Sequence, residues 1–198
     1  MSVSLDDAAL KTLFTRSGAL LSGHFLLSSG LHSDQYFQCA LVLSDTLAAE
    51  RLGRELAARL PAEWAAATVV APALGGVVIG HETARALGAR SLFTERKEGR
   101  MELRRGFTVS PGERCVVVED VITTGKSTRE VVELLKALGA APVGALSIVL
   151  RAAAEPDLGV PLRSLARLPA AAWTALECAL CRDGLPLVKP GSRKEPTC

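Results

Sequence analysis

At 198 residues, 48% hydrophobic and only 4% aromatic, the chain is long enough for one domain with a full core, and its Ala, Leu and Val suit helices packed on a parallel sheet. Its 23 basic and 21 acidic residues leave a formal charge of +2, which argues against a dedicated nucleic-acid binder. No apolar run approaches the ~18 residues of a membrane span, and Met1-Ser2-Val3-Ser4-Leu5 lacks the basic and apolar regions of a signal peptide, so a cytoplasmic protein with no membrane partner is expected. Five scattered cysteines, an odd number, do not read as a disulfide framework.

In chain order, residues 5–21 are expected as a first helix, with Leu5, Leu10, Leu13 and Phe14 on one side and an end near Gly18. Phe25 and Leu27 alternate like a strand, Ser28-Ser29-Gly30 turns, and Tyr36-Phe37 begins another strand; read alone, this is a β-hairpin covering one end of the core. Ser44-Asp45 starts a helix through Leu60, with Leu52, Leu56 and Leu60 at i+4 spacing and Pro61 as the stop. Thr68–Ala71 is a short buried strand that runs into Pro72-Ala73-Leu74-Gly75-Gly76 and a helix from about Val77 to Leu87, capped by Gly88. The paired glycines admit either a close backbone approach to a ligand or a plain tight turn.

Residues 90–95 make the next strand. The stretch from Arg96 to Gly106 is too charged for the core; alone it is a solvated hairpin, whereas beside a polyphosphate site it is a mobile basic lid. A later helix shows its apolar face at Val131, Val132, Leu134, Leu135 and Leu138 and closes at Gly139. Ala145–Leu150 is a buried strand with Arg151 at its carboxyl end, where open α/β sheets collect ligands. Leu162–Leu168 is expected as one more strand, Pro169–Leu180 as a short helix, and the stretch from Lys189 to Cys198 as a loose tail. Strands and helices thus alternate from about residue 44 to 150, which implies a parallel sheet with helices on both faces.

Cys178-Ala179-Leu180-Cys181 is a C-x-x-C. A zinc site needs four ligands; Cys198 and the three histidines are unplaced candidates for the remainder, and a structural pair of thiols is the favoured reading.

The stretch that organises the chain is 115–127. Val116, Val117 and Val118 form a buried strand that stops at two acids, Glu119 and Asp120. Thr123-Thr124-Gly125-Lys126-Ser127 then supplies hydroxyls, a flexible backbone and a cation, and Ser127-Thr128-Arg129-Glu130 reads as a capping box opening a helix. A strand, a polar turn and a helix N-terminus make a phosphate cradle, and the acids upstream suit the hydroxyls of a sugar. It is not a Walker A loop, because position 120 is Asp where the first glycine should lie.

These 13 positions resemble the ribose-phosphate signature of the phosphoribosyltransferases. Further matches resemble the orotate phosphoribosyltransferases in particular: Phe25-x-Leu27-x-Ser29-Gly30-x-x-Ser33-x-x-Tyr36, the loop Pro72–Gly76, the lid start Arg96-Lys97-Glu98 with Arg100, and Arg151 after a late strand. The resemblance covers residues 20–155. It departs at Ser28 and Gly75, where many members carry lysine, at Glu102 in place of a lid histidine, and at Leu150 in place of an acid.

The resemblance implies an α/β, parallel-sheet, Rossmann-like phosphoribosyltransferase fold with a small N-terminal hood and a flexible catalytic loop. The whole of 1–198 would be one domain, the hood formed by about 1–43 with the C-terminal segment and the core by about 44–155. The implied reaction joins orotate N1 to C1 of 5-phosphoribosyl 1-diphosphate (PRPP) with Mg²⁺, in pyrimidine biosynthesis. Glu119 and Asp120 would hold ribose, with Val121, Ile122, Thr123, Thr124, Gly125, Lys126 and Ser127 around the 5′-phosphate. Ala73, Leu74 and Gly75 would offer backbone N–H groups to pyrophosphate, and Arg96, Lys97 and Arg100 would close over it. Arg96, Lys97, Arg100 and Asp120 would be the catalytic set, and Thr123, Arg151, Tyr36 and Phe37 would contact orotate. The magnesium would be held mainly by the substrate. A homodimer with the lid shared between subunits is also implied. The rivals are a purine base as acceptor, against which Arg151 argues, and a PRPP-binding regulator of nucleic acid, for which no basic face is visible.

Overall fold

A computed structural model describes residues 5, 7–27 and 29–190. Ser28, Cys198 and the tail beyond 190 therefore lie outside the described residues. The core is a six-stranded sheet in the order β5-β4-β3-β6-β7-β8. Its strands are β3 (Thr68–Pro72), β4 (Arg90–Lys97), β5 (Arg100–Leu103), β6 (Arg114–Ile122), β7 (Ala141–Leu150) and β8 (Leu162–Arg167). All neighbours run parallel except β5, which returns antiparallel on β4 at the edge.

Strand alternation sorts β6 onto two faces. Val116 and Val118 pack into the core with Leu52, Leu56 and Ile79, from α3 (Thr46–Ala58) and α4 (Gly75–Leu87). Cys115 and Val117 face Val131, Val132 and Leu135 of α5 (Lys126–Ala137). The expected doubly covered parallel sheet is thus present. Asp45 caps α3 by accepting from the backbone N–H groups of Leu47 and Ala48 at 3.0 and 3.3 Å. Gly88, at φ +65, closes α4.

Close approach of α3 to α4 depends on Gly53, where a Cβ would stand 2.6 Å from Glu82 Cβ and 2.7 Å from the Glu82 carbonyl carbon. Trp64 lies in the same way over Gly144 of β7, 2.3 Å from where a Cβ would be.

A second, two-stranded sheet stands apart: β1 (Leu20–Leu26) antiparallel to β2 (His32–Phe37). The C-terminal segment laces both of its edges. Leu26 and His24 exchange backbone bonds with Val188 at 2.8 Å, and His32 exchanges them with Trp173 at 2.8 and 2.9 Å. The hood is therefore assembled from both ends of the chain.

Several boundaries differ from the sequence expectation. The first helix, α1, is only Asp7–Arg16, because Gly18 turns the chain at φ +70 and β1 begins at Leu20. Tyr36-Phe37 ends β2 rather than beginning a strand. A separate short helix, α2 (Cys39–Leu43), precedes α3. Residues 169–178 are not helical; they are drawn out along the hood, and only α6 (Ala179–Arg182) is helical there. β8 belongs to the core sheet although it lies beyond residue 155. The charged stretch after Arg96 forms a hairpin, β4 to β5, turning at Glu98-Gly99.

The substitution Gly53→Ala is expected to cost roughly 1–3 kcal/mol, because backbone atoms of α4 have to move. Urea unfolding would show this as a lower midpoint at unchanged slope; an unchanged midpoint would mean that α3 and α4 separate freely.

Candidate active site

The site begins where β6 ends. Adjacent strand residues point to opposite faces, so Glu119 and Asp120 address different helices. The Glu119 carboxylate accepts from the Thr128 hydroxyl of α5 at 2.7 Å. The Asp120 carboxylate lies against Gly75 at the start of α4, where a Cβ would come within 2.8 Å of it. Asp120 also accepts from the Val121 N–H at 2.8 Å and from the thiol of Cys39. Burial pushes Glu119 up to about 8, with the Thr128 hydroxyl opposing and Asp120 assisting. Burial raises Asp120 too, against the pull of backbone N–H groups and Cys39. It raises the Cys39 thiol still more clearly.

The loop after these acids reaches α5 through Gly125, which takes φ +73. A Cβ there would meet Leu158 at 2.4 Å, so glycine is required twice over. The expected capping box is not formed. The helix starts at Lys126 with Gly125 at the cap position, which has no side chain to offer, and the only side-chain acceptor in its first turn among the described residues is the Thr124 hydroxyl, 3.4 Å from the Lys126 N–H. Ser127 and Glu130 are both already inside the helix, and Glu130 is engaged by Arg96. The N-terminus opens instead into a cavity of about 690 Å³, lined by Thr123, Thr124, Gly125, Lys126, Ser127 and Arg96 among others. Apart from the Lys126 N–H, which donates to Thr124, the first-turn N–H groups and the positive end of the helix suit an anion there.

A neighbouring cavity of about 580 Å³ lies between hood and core and shares Glu119, Val121, Thr123, Thr124 and Ser127 with the first. Tyr36, Phe37, Asp120, Arg151 and Lys189 line it as well. Arg151 is buried and reaches from the end of β7 into the hood. Its Nη2 donates to Ser33 Oγ at 2.6 Å and to the Gln35 carbonyl at 2.8 Å, and the guanidinium stands 5.9 Å from the Phe37 ring centroid. Its Nε is buried without a hydrogen-bond partner among the described residues. Burial lowers the Arg151 pKa, while Asp34 and Tyr36 oppose this. Burial, then Asp120, raises the Tyr36 phenol.

The remaining expected residues are placed less closely. The peptide between Ala73 and Leu74 is cis. The Ala73 N–H donates to the Thr94 carbonyl at 2.8 Å, so it is not available to an anion, contrary to expectation. Leu74 is exposed and lines neither cavity. Arg96 bonds to the Gly99 carbonyl at 2.6 Å and to Glu130. Lys97 and Arg100 are exposed partners on the hairpin and line neither cavity. Arg105 pairs with Glu95 through two bonds, and Arg104 lies 4.0 Å from the same carboxylate, so neither is a spare cation for the cleft. Sequence reasoning missed Cys39, Thr128 and Lys189. Thr128 had a signal, a hydroxyl one turn into the helix beside the acids; Cys39 had none.

A family model described as phosphoribosyl transferase domain matches residues 42–161. An orotate phosphoribosyltransferase of Pelotomaculum thermopropionicum is 50% identical over 182 residues, covering 92% of this chain and 95% of that one. The chain belongs to the orotate phosphoribosyltransferase family. Among solved structures, the orotate phosphoribosyltransferase of Aeropyrum pernix superposes with a TM-score of 0.63 at 30% identity, covering 80% of this chain and 93% of that one. The Mycobacterium tuberculosis enzyme, in complex with inorganic phosphate, gives 0.64 at 27% identity over 82% of this chain and 96% of its own.

The raised pKa of Glu119 has a definite sign in stability. This acid ionises less readily when folded, so its burial costs nothing below the ordinary value of 4.5, and the cost grows until about pH 8. Glu119→Gln is therefore expected to raise the thermal midpoint of the ligand-free family member at pH 8 by several degrees and to change little near pH 5. Equal shifts at both pH values would show that Glu119 is not held protonated.

Proposed function

We infer that the chain is an orotate phosphoribosyltransferase, joining orotate N1 to C1 of PRPP with release of pyrophosphate, in the formation of pyrimidine nucleotides. The observation that carries this is the pair of half-buried carboxylates at the end of β6, set between a helix N-terminus that opens into a cavity and a buried arginine with a spare donor. The 5′-phosphate belongs at the α5 N-terminus, with Val121, Ile122, Thr123, Thr124, Gly125, Lys126 and Ser127 around it. Glu119 and Asp120 take the ribose hydroxyls, whose O–H groups donate to the carboxylates. Gly75, pressed against Asp120, lets pyrophosphate lie close to the sugar. Arg151 presents Nε to the orotate carboxylate, and Tyr36, Phe37 and Thr123 shape the base pocket.

The reaction separates charge. The C1–O bond lengthens first, so the ribose ring gains positive charge and pyrophosphate gains negative charge; stabilising both is the catalytic task. Asp120 and Glu119 face the positive side. Arg96, Lys97 and Arg100 face the negative side once the hairpin closes and excludes water.

The cleft also suits Mg²⁺. Its two carboxylates bond to hydroxyl, thiol and backbone groups and to no cation in these contacts, and burial raises both, so their oxygens suit a hard divalent ion. The ion would be held mainly by pyrophosphate and ribose oxygens, with Glu119 and Asp120 the nearest protein carboxylates. When bound it neutralises the leaving group as a Lewis acid.

Lys97 and Arg100 lie outside the cavities of their own chain, which supports a homodimer in which each hairpin closes the partner's site. No helix among the described residues is long and apolar enough to cross a membrane, and a cytoplasmic site of action fits that.

The test is orotate consumption followed by absorbance, with PRPP and Mg²⁺, beside adenine, hypoxanthine and uracil. Consumption of orotate alone, and only with Mg²⁺, is expected; reaction of another base would overturn the role of Arg151. Removing one charge-assisted contact should raise the KM for orotate roughly 10- to 100-fold in Arg151→Ala, with the KM for PRPP little changed. Mixing Lys97→Ala with Asp120→Asn chains should restore one good site per hybrid dimer. No recovery at all would argue against sharing.

A further inference from the structure

The C-x-x-C of the C-terminal segment is not alone in space. Cys178 and Cys181 meet His24 of β1 and His32 of β2, and the four ligand atoms all lie within 4.8 Å of one another. His24 Nε2 is 2.9 Å from His32 Nδ1, 3.5 Å from Cys178 Sγ and 3.7 Å from Cys181 Sγ. Cys181 Sγ is 3.2 Å from His32 Nδ1. We propose that these four side chains bind a structural zinc ion that staples the C-terminal segment to the hood.

The distances support this reading. With Zn–N near 2.0–2.1 Å and Zn–S near 2.3 Å, the donors of a tetrahedral N₂S₂ site stand about 3.3–3.8 Å apart. The observed separations straddle that range. The His24 ring is already oriented: Nδ1 donates to the Leu185 carbonyl at 2.8 Å, which leaves the Nε2 lone pair facing the cluster. Such a backbone partner is the usual means of fixing a metal-binding histidine. The donor set is soft and borderline, which selects zinc over magnesium. On binding, the two thiols lose their protons to solvent, and with two neutral imidazoles the site carries no net charge. All four positions are filled by protein, so the ion would be structural and take no part in transfer.

The segment needs such a staple. Its one short helix, α6, has no buried residue, and Leu176 is 94% exposed while Cys178 is fully buried. A stretch with so little core is held by a few backbone bonds to β1 and β2. The same segment brings Ala172, Lys189 and Pro190 to the cavity between hood and core. Zinc at one end of the hood therefore fixes the wall of the base pocket at the other, without touching the magnesium-dependent cleft.

The experiment is metal analysis of the purified full chain by mass spectrometry after dialysis against a weak chelator. About one zinc per chain is expected, and Cys181→Ser and His32→Ala should each retain far less. Cobalt replacement in the unmodified chain should give thiolate charge-transfer and tetrahedral ligand-field bands, and Cys181→Ser should lose the charge-transfer intensity of one thiolate. Cys181 is exposed, so its serine variant should fold; the cobalt spectrum needs no variant. A strong chelator should lower the thermal midpoint, reversed by zinc and not by magnesium. Absence of zinc with no cobalt spectrum would overturn the proposal, as would a Cys178–Cys181 disulfide in the native chain or zinc retained in full by both variants.

Discussion

Drawing two neighbouring carboxylates partly out of water at the end of a central strand is expensive, and the local architecture is arranged around that cost. Glu119 and Asp120 cannot share one partner, because the strand points them to opposite faces. Each therefore draws a different helix into the cleft. Thr128 of α5 gives its hydroxyl to Glu119, and Gly75 gives up its side chain so that α4 can start beside Asp120. Ligand-free, both acids hold their protons more tightly than usual. In the proposed function, a sugar hydroxyl or a divalent ion would restore what burial removed, so the site would be incomplete without its substrate.

The same economy shapes the helix N-terminus. A capped α5 would be more stable, and the sequence offers the residues for a cap. Ser127 falls two positions too late, because Gly125 turns the chain into the helix earlier than the serine allows. The first-turn N–H groups are thereby left facing a cavity. Arg151 shows a related arrangement on the opposite wall, with two donors committed to the hood and one buried donor left over.

Much of this was legible in the sequence. The valine run, the two acids and the glycine turn specify β6, the loop and α5, since burial on both faces requires an apolar strand and the turn requires a positive φ. Arg151 at a strand end was legible for a similar reason. The α1 boundary was not, because Leu20 and Leu21 resume after Gly18 an apolar pattern that fits helix and strand equally. The stretch after Pro169 was misread because its conformation is set by β1 and β2, far away in sequence. Cys39 was invisible for that same reason, and the histidines could be named as companions of the C-x-x-C but not placed: spacing along the chain says nothing of where a histidine 154 residues distant will lie.

The hood has a temporal consequence. β1 and β2 are synthesised before every strand of the core sheet, yet their outer edges are bonded by Val188 and Trp173. The core sheet, complete once β8 has formed at residue 167, can therefore close before the hood has its last strands. During synthesis the α5 N-terminus therefore takes shape before the cavity between hood and core does. On the proposed function, that places the phosphate end of the site ahead of the wall that would select the acceptor.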